Sequence, residues 1–288
     1  MRLIVSIALL FQVVSAFAQF PLVREFELRP GQQRPRIQSI AQDDRGIIWA
    51  ASDLGLLRTD GHATELVARV QGITALAAHG STTVIATADG VLLHCGGLRC
   101  DTLLRDTSFA ASRIDHLAIA RDGKVWIGTR RAGLFGLKDG VLSRISSESG
   151  LPDDHINGLA ILPNGKLAVA TDQGIAIVEA GEVRMRMSEA EGAPDNLVLC
   201  IASDAGGRIW AGTDRGGVFR WMPGQEPLLI AQPWAFGAVK QVQETAGMLW
   251  ASTEGAGLIA IDLELKRGIY RQDAPDKHDP RSLMRAID

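Results

Sequence analysis

A unit of about 40 residues recurs along this 288-residue sequence and constrains the fold more than any other feature. Each copy has an apolar run, a glycine turn, a second run that ends in Ser or Thr, and a glycine that precedes a third, aliphatic run. The second runs end at Ser52, Thr87, Thr129, Thr171, Thr213 and Thr253, which gives spacings of 35 to 42 residues. Such regular spacing predicts six similar units that pack on one another.

The turns and the patterning between them predict antiparallel strands. Asp122-Gly123 and Asn164-Gly165 are typical of tight hairpins, which need positive φ angles. Period-two alternation puts Ile114, His116 and Ala118 on one face, and Asp115, Leu117 and Ile119 on the other. Helical spacing does not persist anywhere in the sequence. The sequence therefore predicts an all-β fold, a β-propeller of four-stranded blades with about 40 residues each, in which six blades and the start of a seventh are visible.

Tryptophan opens the second run in four of the six copies, at Trp49, Trp126, Trp210 and Trp250. Val84 and Ala168 take this position in the other two. A large apolar residue that repeats in register predicts a core position between neighbouring blades, rather than a residue that stacks on a ligand.

The N-terminus has the pattern of an export signal. Arg2 gives a positive start, Leu3–Val14 is almost entirely apolar, and Ala16-Phe17-Ala18 is a cleavage pattern before Gln19. An uncleaved anchor is the alternative, but the 16 residues from Leu3 to Ala18 fall short of the roughly 20 that span a bilayer. We therefore expect a signal peptide at 1–18, a propeller at 19–288 and a periplasmic location.

The two ends of the propeller region predict an incomplete ring. Leu22–Leu28 alternates like a strand and precedes the first full repeat, as the outer strand of a shared blade would. Met284 and Ile287 correspond to Ile37 and Ile40 of the first repeat. We therefore expect a propeller that is incomplete at its C-terminus, with six blades plus the first strand of a seventh in an open or imperfectly closed ring.

The three cysteines allow at most one internal disulfide. Cys95 and Cys100 flank a turn-like insert, and an oxidising compartment would let them close a hairpin. Two unbonded surface thiols are the alternative. Cys200 lies in the apolar run Leu197–Ile201 and is expected to act as a small buried hydrophobe.

The repeat resembles a known family. Two stretches, Ile114–Leu134 and Val198–Val218, are similar to the two-component regulator propeller repeat in the spacing of their apolar, Gly, Trp, Gly-Thr and Gly-aliphatic positions. Two further stretches, Ser149–Asn157 and Ala274–Leu283, resemble the links between blades in that family. This resemblance implies the periplasmic sensor of a histidine kinase or diguanylate cyclase. Any kinase or cyclase activity would belong to an output domain outside this chain or in a partner protein, and the full-length protein could form a homodimer.

Catalytic, metal and cofactor chemistry find little support in the sequence. A net charge of −3 argues against nucleic acid as a partner. The six histidines lack metal-ligand spacings, and there is no phosphate loop, calcium loop or nucleophile elbow. Asp153-Asp154 is interpreted as a solvated turn rather than a catalytic carboxylate pair. We expect no cofactor, no metal and no catalytic site.

A ligand site is expected where the first strands of the blades meet the central channel. The polar residues in or just before those strands are Arg36, Gln38, Asp115, His116, His155, Asn157, Lys240 and Gln241. The favoured function is an extracytoplasmic sensor of a small molecule or glycan. The alternatives are a free-standing periplasmic binding or scaffold propeller and, with less support, a propeller lyase or hydrolase.

Overall fold

The computed structural model describes residues 35–97, 99–106, 108–231, 237–264 and 267–272. The expected signal peptide at 1–18, the strand expected at Leu22–Leu28 and the partial repeat from Met284 lie outside the described residues. The predictions that rest on them, including an incomplete ring, therefore stay predictions.

Six four-stranded antiparallel sheets form the blades, and in each sheet the strands follow one another in chain order. Blade 1 contains β1 (Ile37–Gln42), β2 (Ile48–Ser52), β3 (Gly55–Thr59) and β4 (Thr64–Ala68). Blade 2 contains β5 (Ile73–His79), β6 (Thr82–Thr87), β7 (Val91–Gly96) and β8 (Arg99–Arg105). Blade 3 contains β9 (Ile114–Ile119), β10 (Val125–Thr129), β11 (Leu134–Lys138) and β12 (Val141–Ile145).

Blades 4 to 6 repeat the same arrangement. Blade 4 contains β13 (Ile156–Ile161), β14 (Leu167–Thr171), β15 (Gly174–Glu179) and β16 (Glu182–Met187). Blade 5 contains β17 (Val198–Ser203), β18 (Ile209–Thr213), β19 (Val218–Trp221) and β20 (Leu228–Ala231). Blade 6 contains β21 (Val239–Thr245), β22 (Met248–Thr253), β23 (Gly257–Asp262) and β24 (Arg267–Gln272). The first strands β1, β5, β9, β13, β17 and β21 pack side by side in this order, which places them innermost in a propeller arrangement. The predicted all-β propeller of six visible blades is therefore confirmed.

Helical structure is limited to short links between blades. The described part of the chain has one five-residue α-helix, α1 (Ser108–Ser112), and two 3₁₀ turns at Ser147–Ser149 and Glu189–Glu191. None of these described helices has the length and apolar character that crossing a membrane requires.

The core is divided into five clusters, one between each pair of consecutive blades. Period-two alternation of the strands produces this division. In β10, Val125 and Ile127 point into the cluster shared with blade 2, whereas Trp126 points into the cluster shared with blade 4. Each of blades 2 to 5 is thus an apolar layer on both faces, and it depends on its two neighbours for burial.

Three of the four repeated tryptophans fill these interfaces, as predicted. Trp49, Trp126 and Trp210 are buried and each packs against the following blade, while Trp250 in blade 6 is half-buried. A small residue two positions after the tryptophan lets the next blade approach closely. A Cβ atom on Gly128 would lie only 2.7 Å from Cγ2 of Ile156 in the next blade.

A β-bulge near the start of every innermost strand corrects one detail of the predicted alternation. In β9 the register shifts between Ile114 and His116, and the equivalent shift occurs in all six blades. The prediction placed Ile114 opposite Leu117 and Ile119, but all three contact the cluster shared with blade 2. The bulge is the physical reason, because an extra residue reverses the alternation from that point onward.

The disulfide pairing and the free thiol are both visible. Cys95 and Cys100 face each other across β7 and β8 and are joined by a disulfide. Cys200 is buried, its thiol donates to the Val239 carbonyl at 3.4 Å, and burial raises the pKa of this thiol to about 12. It therefore packs as a small apolar group and would not react as a thiolate at neutral pH.

The face of blade 1 that points away from blade 2 is uncovered in the described structure. Ile37 is 48% exposed and Ile40 is 61% exposed, whereas Ile156, at the position of Ile37 in blade 4, is 1% exposed. The same residue type at the same repeat position therefore gains burial only where a preceding blade covers it.

This contrast predicts different effects of the same mutation. Ile156→Val should lower the free energy of unfolding by about 1 kcal/mol, because it removes a buried methyl group, and Ile37→Val should lower it by less than about 0.3 kcal/mol. Urea denaturation followed by circular dichroism measures both. Equal losses for the two variants would mean that the blade 1 face is covered in the folded protein.

Candidate ligand site at the upper mouth

The six bulges lie at one end of the central channel, which we call the upper mouth because the innermost strands begin there. The bulged residues are Gln38, Thr74, Asp115, Asn157, Leu199 and Lys240. A bulge re-aims side chains and is frequent next to functional sites. All eight sequence-predicted residues lie here, at a bulge or within two residues of one.

In blade 3, Asp115 is held between two arginines. Its Oδ1 atom lies 2.7 Å from Nε of Arg113, and its Oδ2 atom lies 2.9 Å from Nε of Arg130. The carboxylate is mostly buried, whereas both arginine side chains are about half exposed. One anion thus orients two guanidinium groups that remain accessible from the mouth.

In blade 4, Asp172 organises a second set of hydrogen bonds. Its Oδ2 atom lies 2.9 Å from Nδ1 of His155, and its Oδ1 atom accepts a bond of 2.8 Å from Nδ2 of Asn157. The same amide nitrogen donates to the Val198 carbonyl of blade 5 at 3.0 Å. Asn157 therefore connects two blades through a side chain at a bulge.

His116 follows Asp115 in β9 and is half-buried. Burial lowers its pKa to about 4; the nearby Asp115 opposes this shift, while His155 and Arg130 add to it. At neutral pH His116 is therefore uncharged and can offer one donor and one acceptor. We call the combined set the blade 3–4 cluster; its members are Arg113, Asp115, His116, Arg130, His155, Asn157 and Asp172.

The other four predicted residues share the mouth but lie in separate blades. Arg36 and Gln38 belong to blade 1 and are exposed, and the backbone N–H of Arg36 donates to Oδ1 of Asp53 at 2.9 Å. Lys240 and Gln241 belong to blade 6 and are also exposed, with Nζ of Lys240 3.2 Å from Oε2 of Glu254. Strands β9 and β13 pack against each other. Asp115, His116, His155 and Asn157 therefore lie in or just before neighbouring innermost strands, whereas the other four lie in blades 1 and 6.

Sequence reasoning missed Arg113, Arg130 and Asp172. Their positions in the repeat could have identified them. Within a blade, the residue just before the innermost strand lies beside the residue that follows the Ser or Thr at the end of the second strand. In blade 3 the Arg130 N–H donates to the Arg113 carbonyl at 3.0 Å, and in blade 5 the Asp214 N–H donates to the Leu197 carbonyl at 3.1 Å. Aligning the repeats at both positions would have identified these neighbours.

Asp153 and Asp154 stabilise the link that leads into blade 4. Asp153 accepts from the His155 N–H at 2.7 Å, and Asp154 accepts from the Ser147 N–H at 2.7 Å. Among the described residues, no group of three or more His, Cys, Asp or Glu side chains is arranged to hold a metal ion. The blade 3–4 cluster offers hydrogen-bond donors and acceptors of both charge signs.

Solved structures of similar fold include extracellular domains of putative one-component and hybrid two-component systems. The extracellular domain of a putative one-component system from B. thetaiotaomicron has a TM-score of 0.66 and 20% identity, with 88% of this chain and 35% of that chain covered. The extracellular domain of a putative hybrid two-component system from the same organism has a TM-score of 0.61 and 20% identity, with 87% and 36% covered. This chain thus spans about a third of those two structures.

A solved structure titled "YCF48 bound to D1 peptide" is also similar. Its TM-score is 0.60 and its identity is 15%, with 79% of this chain and 78% of that chain covered. No curated protein sequence is significantly similar to this chain.

The fold and the mouth define a repeat-built β-propeller with a polar cluster at one end of its channel. Within it, residues 192–215 match the family model for the two component regulator propeller. That stretch contains β17 and β18, the inner half of blade 5. The resemblance predicted from the repeat is therefore confirmed.

Proposed function

We propose that this chain is the extracytoplasmic ligand-sensing propeller of a bacterial two-component or related signal-transduction protein. The export pattern at 1–18, the regulator-type repeat and the similarity to extracellular domains of one-component and hybrid two-component systems support this proposal. The output domain, a histidine kinase or a diguanylate cyclase, would lie outside these residues or in a partner protein.

The blade 3–4 cluster is the observation that carries the ligand proposal. The two arginines and the two aspartates of the cluster balance in formal charge. Asp115 pairs with both arginines, and Asp172 lies against His155 and Asn157. A neutral ligand rich in hydroxyl groups can use such paired donors and acceptors, whereas a fully charged ligand would have to break the pairs. A small polar molecule or a glycan therefore fits the site best.

The test is a screen of neutral mono- and oligosaccharides by thermal shift, followed by calorimetry of each hit. A ligand at 100 times its Kd should stabilise the protein by about 2.7 kcal/mol. We expect Asp172→Asn to weaken binding about tenfold or more, because it removes the acceptor that orients His155 and Asn157. Asp122→Asn is the matched control and should leave saccharide binding unchanged. Asp122 is exposed, lies in the turn that follows β9 at the opposite end from the cluster, and pairs with Lys138 of β11.

Two results would contradict the proposed site. One is a saccharide that binds equally well to the protein and to Asp172→Asn. The other is a screen in which only charged compounds bind, because the argument from paired charges would then be wrong.

A free-standing periplasmic binding or scaffold propeller is the second candidate. Its support is that the peptide-bound YCF48 propeller matches over most of both chains. The gene sequence beyond codon 288 discriminates between the candidates: a membrane helix and an output domain favour the sensor, and a stop codon favours the free-standing protein.

A further inference from the structure

The other end of the channel, where the innermost strands finish, contains a cavity that the proposed function does not use. We call this end the lower mouth. The cavity has a volume of about 230 Å³ and is lined by residues from blades 2, 3 and 4: His79, Ile119, Arg121, Ile161, Leu162 and Pro163. It is smaller than the pockets of about 300–1,000 Å³ that hold drug-sized ligands, so its occupant would be a compact molecule.

Four of the six lining residues are apolar. Ile119 and Leu162 are buried, and Ile161 is half-buried at the end of β13. The carbonyl of Ile161 already accepts a hydrogen bond of 2.8 Å from the Ser203 hydroxyl of blade 5. The cavity walls therefore offer mainly apolar contact, because the carbonyl at the end of β13 is already hydrogen-bonded.

The two polar residues that line the cavity can each donate a hydrogen bond. Nδ1 of His79 lies 3.4 Å from Oδ1 of Asp44, so the imidazole has an anionic neighbour. Arg121 is exposed and makes no ion pair or hydrogen bond with any other described residue. The acidic residue that follows it, Asp122, is engaged by Lys138 at 2.6 Å.

The cavity is apolar and lies beside a guanidinium that has no partner among the residues with described positions, so it is complementary to one class of ligand. A carboxylate can form two parallel hydrogen bonds with a guanidinium, and a compact apolar body would contact the isoleucine and leucine walls. We infer that the lower mouth is a second binding site, distinct from the blade 3–4 cluster, for small monocarboxylates with an aromatic or branched apolar body.

The probe for this site is benzoate, titrated into the whole chain and followed by ligand-observed NMR and calorimetry. We expect saturable binding with a Kd of about 1 mM or lower, as a ligand of this size permits. Benzamide has the same shape without the charge and should bind about tenfold more weakly or worse. Weak non-saturable binding, or equal binding of benzamide and benzoate, would overturn the inference.

Variants at exposed positions test the same site without risk to the fold. Arg121→Ala should raise the Kd for benzoate about tenfold or more, and Arg121→Glu should make the site prefer benzylamine to benzoate. Arg131→Ala is the matched control, because Arg131 is an exposed arginine near the upper mouth, and it should change the Kd less than about twofold.

Asp172→Asn separates this inference from the proposed function, since it alters the upper mouth and should leave benzoate binding unchanged. Benzoate binding that is insensitive to Arg121→Ala, or that is lost in Asp172→Asn, would place the ligand elsewhere and refute the second site.

Discussion

Trp210→Ala is expected to lower the free energy of unfolding by about 3–5 kcal/mol, the range for large-to-small changes in a packed core. The indole ring is fully buried between blades 5 and 6 and contacts the cluster that contains Val242 and Leu249. Removing it leaves a cavity at an interface on which both blades depend. Urea denaturation monitored by near-UV and far-UV circular dichroism measures the loss.

The variant also disturbs a buried carboxylate. Nε1 of Trp210 donates to Oδ2 of Asp204 at 3.0 Å, and the backbone N–H groups of Gly206 and Arg208 donate to Oδ1. Burial alone would raise the pKa of Asp204, but the hydrogen bonds from Trp210 and Arg208 outweigh it and hold the pKa below its ordinary value. Part of the expected loss therefore comes from the carboxylate that Trp210→Ala leaves short of a donor.

Two matched variants separate the contributions. Trp210→Phe keeps most of the ring and should cost about 1–2 kcal/mol, chiefly from the lost donor. Trp250→Ala removes the same residue type from a half-buried position in blade 6, so its effect should be smaller than that of Trp210→Ala. A loss under about 1 kcal/mol for Trp210→Ala would refute the core role of this residue.

The blades could be predicted from the sequence because the repeat reports the core directly. A residue such as Trp126 or Trp210 must be large to fill the space between two sheets, and Gly128 must be small because Ile156 approaches it closely. These demands recur once per blade, so they appear as a period in the sequence. Even blade 2, which has Val84 in place of tryptophan, forms a regular four-stranded sheet.

The site was only partly predictable, because it depends on relations between blades. The candidates Asp115 and Asn157 were found as polar residues in innermost strands, but the bulge that positions them has no residue signature of its own. Strict alternation placed Ile114 on the wrong face for the same reason. Arg130 and Asp172 directly follow second strands, and their proximity to Asp115 and His155 becomes visible only when the strands are paired.

A glycine at the start of the third strand recurs in the sequence, but the sequence alone does not explain why glycine is required there. The sequence shows only that a glycine precedes each third, aliphatic run. The structure adds that Gly174 has φ of +118° and that a Cβ atom there would lie 2.3 Å from the carbonyl oxygen of Met187, at the end of the fourth strand. Gly55 and Gly133 approach Ala68 and Ile145 in the same way in blades 1 and 3.

Gly174→Ala is therefore expected to lower the free energy of unfolding by about 3 kcal/mol or more, since it combines an unfavourable backbone conformation with a clash that only a backbone shift can relieve. Gly165→Ala is the matched control. Gly165 also has a positive φ, of +82°, but nothing lies within 4 Å of the position of its Cβ, so only the backbone strain, about 1 kcal/mol, should be lost. The difference between the two variants, measured by urea denaturation, isolates the close approach of the third and fourth strands. Equal losses would show that conformation alone requires glycine at this position of the repeat.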